Sequence, residues 1–146
     1  MKTPVVFALL LAGMTCSALA LDAPPTEVVQ FNHAQVDQAF AKGLPLLLTS
    51  QYKIQTGHRV MAGNVELHEH DTDIFYVTEG TATLTTGGTT IAAKTIAPGE
   101  IRGDRITGGV ARKLTKGDVI VIPAGVPHWF SEVSGTFLYF VIKITK

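Results

Sequence analysis

The spacing of apolar positions changes character once along this chain. Near the start, Val36, Ala39 and Phe40 recur at helical spacing, with Asp37, Gln38 and Lys42 on the polar side. Asn32 stands where an N-cap is needed, and Gly43 followed by Pro45 stops the run. This predicts one short helix. From Leu46 onward the signals are those of strands. Residues 46–50 are a short apolar run, 51–60 alternate loosely, and 74–78 are aromatic and β-branched. Residues 81–86 set Ala82 and Leu84 against threonines, and Gly87-Gly88 reads as a tight hairpin turn from which residues 89–92 return. Pro98-Gly99 and Gly108-Gly109 punctuate residues 94–110, which read as a long hairpin or loop excursion. Residues 110–114, 119–122, 128–133 and 136–145 complete the strand set. Many short strands behind a single early helix predict an all-β sandwich or barrel.

Composition narrows this picture. A chain of 146 residues with 46% hydrophobic and 16% charged residues suits one globular domain with ample core. No Lys/Arg run or basic stripe marks a nucleic-acid partner. The first twenty residues follow a different logic. Lys2 is a short positive region, residues 5–14 are apolar, and Ala18-Leu19-Ala20 forms an A-x-A cleavage site. That layout is a secretory signal peptide cut after Ala20, and the apolar run is too short for a lasting membrane span. Residues 21–43 then form an arm, with Pro24-Pro25, and the short helix; residues 44–146 form the barrel domain. The expected location is periplasmic or secreted, with no membrane association after cleavage. Cleavage removes Cys16, the only cysteine, so thiolate chemistry and disulfides are excluded from the mature chain. It also removes Lys2, leaving 11 basic against 12 acidic residues, too even a balance to specify a partner.

Two segments concentrate the chemistry. Residues 63–80 read G-N-V-E-L-H-E-H-D-T-D-I-F-Y-V-T-E-G, and residues 117–128 read G-D-V-I-V-I-P-A-G-V-P-H. Three of the five histidines, His68, His70 and His128, lie in them. In the second segment, Gly117 turns the chain into an apolar strand. Pro123, Ala124 and Gly125 then bend it, because proline fixes φ and glycine tolerates positive φ. His128 follows on the next strand.

Together the segments resemble the paired motifs of the cupin superfamily. Gly117, Pro123, Gly125 and His128 match the second motif at four of its five positions, with Glu132 at the fifth. The first motif is looser. Asp73 and Gly80 fit its end, with aspartate replacing glutamate, but two registers compete upstream. In one, His68 and His70 are the H-x-H pair, one residue too close to Asp73. In the other, His68 is the second histidine and Glu66 replaces the first. Alternation along a strand does not separate them, since residues 66, 68 and 70 share one face. Asp73 joins that face only if a turn or bulge intervenes, for which Asp71-Thr72 is suited.

The resemblance implies a double-stranded β-helix, the jelly-roll barrel, preceded by the short N-terminal helix. It implies one divalent transition metal ion inside the barrel, held by His68, His128, Asp73 and either His70 or Glu66. Such nitrogen and oxygen ligands suit Fe, Mn, Zn, Ni or Cu, and two histidines with a carboxylate are the arrangement of non-haem Fe(II) oxygenases. Phe75 and Val77 are expected to line the interior, and Ile74 and Tyr76 to face outward, under the helix or at a subunit contact. Trp129 and Phe130 must face opposite ways. Tyr52, Tyr139, Arg59 and Arg112 are polar residues able to reach a substrate. The expected function is an exported metal-binding protein acting on a small molecule as a dioxygenase or related oxidoreductase. The alternative is a periplasmic module that binds a small ligand without turnover. A homodimer is the expected assembly.

Overall fold

The computed structural model describes residues 19–146. The expected leader falls almost wholly outside the described residues. Its last two, Leu19–Ala20, form a short strand (β1) that pairs in parallel with Leu47 and Leu48. No helix among the described residues is long and apolar enough to cross a membrane.

Helix α1 spans His33–Lys42. The Asn32 side chain accepts from the Gln35 backbone N–H, and the Gln35 side chain returns the bond to the Asn32 backbone, a full capping box. Gly43 closes the helix in the left-handed conformation. Phe40 meets Phe140 edge-on at 4.8 Å, which anchors the helix to the outside of the barrel. Ile74 and Tyr76 do face outward as expected, but the helix does not cover Tyr76, which is exposed.

Eleven further strands build the barrel: β2 (Pro45–Leu48), β3 (Tyr52–Arg59), β4 (Val65–His68), β5 (Asp71–Thr86), β6 (Thr89–Ile91), β7 (Lys94–Ala97), β8 (Glu100–Gly103), β9 (Arg105–Thr107), β10 (Val110–Thr115), β11 (Val119–Ile122) and β12 (His128–Thr145). This is the expected all-β jelly roll, with a single short helix among the described residues. Its spine is the antiparallel pair β5 and β12, two long strands that stay together from Asp71 against Thr145 to Thr86 against His128, with register shifts near Ser134 and Leu138. Strand β3 flanks β12 on one side, and β10 and β11 flank β5 on the other. Strand β4 touches β12 at His128 and continues the sheet through β8 and β7.

One expectation needs correction. Gly87-Gly88 does not return the chain along β5. Residues 89–91 instead pair with β9, and β10 takes the place beside the second half of β5. The Gly87 N–H bonds to the carbonyl of Pro127, so the turn is fastened to the start of β12. Residues 94–110 take the hairpin alternative: β7 and β8 pair antiparallel across Pro98-Gly99, β9 follows, and β8 also pairs with β4 along its length.

Alternation along β5 and β12 buries Phe75, Val77, Leu84, Phe130, Phe137 and Tyr139 together. Phe75, Phe130 and Tyr139 pack with ring centroids 5.2–5.6 Å apart, the spacing of favourable aromatic contacts. Trp129 points the other way, and its indole N–H donates to the Gly63 carbonyl at 2.7 Å.

Candidate metal centre

The site lies at one end of the aromatic core, where β4, β5 and β12 meet. His128 pairs with Glu66 across β12 and β4, and Asp73 lies opposite Lys143 across β5 and β12. These registers converge four of the five expected side chains. His68 Nε2 lies 3.6 Å from Glu66 Oε2 and 3.5 Å from Asp73 Oδ2. His128 Nε2 lies 3.6 Å from the same Asp73 oxygen. The imidazoles are 5.3 Å apart. Donor atoms of Glu66, His68 and His128 all fall within 4.8 Å of one another, the spacing at which one ion is shared. Asp73 stands beside that triad, its Oδ2 near both imidazoles and both of its oxygens accepting from Lys143. It faces inward because β4 ends at His68 and a bend at Glu69 and His70 resets the alternation before β5 begins.

His70 is not in the cluster. The same bend that brings Asp73 inward turns His70 to the surface, where its ring lies against Gly99. Of the two competing residues, Glu66 faces His68 and His128 and His70 does not.

Both imidazoles are oriented from behind. His68 Nδ1 lies 2.9 and 2.8 Å from the two oxygens of Glu100. His128 Nδ1 lies 3.2 Å from the Val126 carbonyl. An ionised carboxylate and a carbonyl only accept, so each Nδ1 carries a proton and each ring turns its Nε2 toward the cluster. Glu100 lies directly opposite His68 in the β4–β8 register, as Arg102 does to Glu66. Arg102 joins the two carboxylates, with Nη1 3.2 Å from Glu100 and Nη2 3.5 Å from Glu66. The turn between β11 and β12 holds both histidines: the Gly125 N–H donates to the His68 carbonyl, and Val126 receives His128 Nδ1. Gly125 has φ 81°, the conformation its place in the motif calls for.

The electrostatics favour a cation. Burial alone would raise the Glu66 carboxyl, but His68, Arg102, His128 and Arg59 outweigh it and hold Glu66 well below the usual carboxylate range. Burial would also lower His68, yet Glu66, Asp73 and Glu100 together raise it, against an opposing contribution from Lys143. Surroundings that tighten His68's hold on a proton equally favour a metal ion at Nε2. Burial keeps His128 below its ordinary value and neutral, Asp73, Val126 and Glu66 offsetting it only in part.

The donor set fits a transition metal on one further observation. His68 Nε2 is buried and has no hydrogen-bond partner among the described residues. An orphaned buried nitrogen is costly unless something fills it. Two imidazole nitrogens and a carboxylate oxygen, without thiolate, suit Fe, Mn, Zn, Ni or Cu.

A cavity of about 220 Å³ opens beside this cluster, lined by Glu66 and Asp73 from the donor set and by Arg59, Tyr139, Lys143, Gln55 and apolar Phe75 and Phe130 among others. Arg59 donates from Nε to the Tyr139 hydroxyl at 2.9 Å and from Nη2 to Glu66 Oε1 at 2.8 Å. Its guanidinium lies 4.8 Å over the Phe130 ring, a cation–π contact. Lys143 donates to both oxygens of Asp73, at 2.8 and 2.7 Å. A Cβ on Gly57 would land on the Tyr139 ring, so this glycine is what lets the ring lie across β3. Of the four residues expected to reach a substrate, Arg59 and Tyr139 are at the cavity. Arg112 instead bonds Thr86 at an exposed position, and Tyr52 lies beside Ile142 and Ile144 away from it. Sequence reasoning missed Glu100, Arg102 and Lys143. The first two lie in the stretch read as a long hairpin or loop excursion, where no motif marks them, and Lys143 gives no motif signal.

Comparison with known proteins places the fold. The model of the cupin family, described as "Cupin", matches residues 19–146. No curated protein matches the chain. Among solved structures, the Bacillus halodurans protein BH2720 superposes with a TM-score of 0.59 at 14% identity, over 86% of this chain and 87% of that one. A hydroquinone 1,2-dioxygenase from a Sphingomonas species superposes with a TM-score of 0.55 at 11% identity, over 84% and 82%. Peruvianin-I, a cysteine peptidase from Thevetia peruviana latex, gives a TM-score of 0.45 at 13% identity over 65% of this chain, which spans about half of that protein (51%). At these identities the likeness is one of fold.

Proposed function

The chain belongs to the cupin family, and from that premise we propose that it is an exported metal-binding cupin. In this reading Glu66, His68, His128 and Asp73 hold one divalent transition metal, and the protein carries out oxidative chemistry on a small molecule. The observation that carries the metal reading is the orphaned Nε2 of His68, buried among three more inward-facing donor groups. The bound metal would supply Lewis acidity and open positions for substrate and O₂. Export rests on the leader-like residues 1–20.

The chain's own residues have separable tasks. Glu100 and Val126 orient the two imidazoles and keep their Nδ1 protons. Arg59 and Arg102 hold Glu66 from two sides. Phe75, Phe130 and Tyr139 form an aromatic wall of the cavity on the carboxylate side of the cluster. Burial raises the Tyr139 hydroxyl above its ordinary value, so it stays protonated and can donate into the cavity.

A second reading, a binding module without turnover, is favoured by one observation. Glu66, Asp73 and Glu100 each have a cationic partner, so no carboxylate beside the cluster is left over as a general base.

The test is elemental analysis of protein purified from its native compartment, beside His68→Ala and His128→Ala. Near-stoichiometric metal in the unaltered protein, falling below about one tenth in both variants, is the expected result. Unchanged metal content in both variants overturns the metal reading. Oxygen uptake by metal-loaded protein across a panel of small molecules separates the two functional readings.

A further inference from the structure

We propose that the outward face of β11, β5 and β12 is the contact surface for a second copy of this chain, packed face to face about a two-fold axis.

The argument begins with an inversion of polarity. Asp71 and Asp73 of β5 are buried on the inner face of the barrel, where they accept from Lys53 and Lys143. The alternate positions face out and carry no charge. Cross-strand registers set them in rows, Val119 beside Tyr76 beside Phe140, and Val121 beside Ile74 beside Ile142. Residues directly opposite in a ladder share a face, so these six side chains form one continuous apolar surface. Val119 is 62% exposed, Val121 57% and Tyr76 45%. Single exposed apolar residues are ordinary, but a contiguous set marks a surface that something covers.

The surroundings of the face say what covers it. Helix α1 reaches only its Phe140 end, through Phe40, and leaves Tyr76 open. Among the described residues β11 pairs with β5 alone, so its far edge is free as well. Sheets guard such edges with charge, yet this one reads Val-Ile-Val-Ile. A face without charged side chains has nothing to offer a strongly charged partner. It does meet the demand of a two-fold contact, in which a patch meets itself and any charge would stand near its own copy. Tyr76 among aliphatic residues is the kind of anchor that the core of an interface uses. Strands about 4.8 Å apart and rows about 7 Å apart give the face the extent of the core of a contact to which each partner contributes about 800 Å². The cavity lies on the opposite face of β12, lined by Tyr139, Val141 and Lys143. Pairing therefore leaves it open, and the inference stands apart from the metal reading.

The test is sedimentation velocity on protein purified from its native compartment, in a dilution series centred on about 10 µM. The unaltered protein is expected to sediment as a dimer that dissociates on dilution. Val121→Glu and, separately, Tyr76→Glu set like charges against each other across the axis, and each is expected to raise the dissociation constant about tenfold or more. Ile96→Glu, at an exposed apolar position on β7 away from the face, is expected to leave it unchanged. Far-UV circular dichroism checks that each variant folds, and both positions of the face are exposed enough to accept the change. Unaltered protein that stays monomeric through the series overturns the inference, and this arm needs no variant. A dimer that neither Val121→Glu nor Tyr76→Glu weakens, or that Ile96→Glu weakens equally, overturns it as well by placing the contact elsewhere. So does protein that is monomeric by itself and recovered bound to a different polypeptide.

Discussion

At the scale of single residues, the centre depends on contacts made from behind the donors. Glu100 does not line the cavity beside the cluster, yet it holds both the ring orientation and the tautomer of His68. Removing such a partner typically costs 10–100-fold in metal affinity. Glu100→Ala is therefore expected to weaken metal binding by about that factor in chelator competition, while His70→Ala, at a surface position, leaves affinity unchanged. Equal losses in the two variants would show that His70 does ligate. Gly57 makes a different demand. Any side chain there collides with the Tyr139 ring, which would have to leave its place over β3. Gly57→Ala should cost on the order of 1–3 kcal/mol in denaturant unfolding, the usual range for overpacking a filled interior. An unchanged unfolding midpoint would mean that Tyr139 moves freely.

At the scale of elements, strand pairing does what motif spacing could not. The β4–β8 ladder sets His68 against Glu100 and Glu66 against Arg102, so one hairpin strand delivers both supporting side chains. The β5–β12 ladder sets Asp73 against Lys143 across 70 residues of sequence. At the other end, β1 is the last two residues of the expected leader. Leu21 N bonds the Leu48 carbonyl at 2.8 Å, a contact that a new terminal amine at Leu21 can still make. N-terminal sequencing of protein from the periplasm or medium should begin at Leu21. A start at Met1 in that fraction would count against cleavage.

At the scale of the whole molecule, a metal bound only by the folded state adds to its stability by mass action. At free metal about 1,000-fold above Kd the gain is about 4 kcal/mol. For a chain of this size that is a shift on the order of 10 °C in Tm. Chelator should lower the Tm of the loaded protein by about this amount and leave His68→Ala unaffected. An equal response in the variant would place the metal elsewhere.

What the residues alone determined was the kind of fold and the heart of the site. Alternation along residues 74–86 and 128–145, with turn signals between, specifies strands whatever surrounds them, because period two is a local property of extended chain. The helix between Asn32 and Gly43 was equally legible, since its caps are local bonds. His68 and His128 were legible because the bend at Pro123 and Gly125 is written in backbone preferences. The choice between Glu66 and His70 was not. Both share a strand face with His68 until the strand ends, and where it ends is set by the pairing of β4 with β8 and β12. Glu100, Arg102 and Lys143 were invisible for the same reason. Their part in the site comes from cross-strand registers between segments far apart in sequence, which exist only once the barrel has closed.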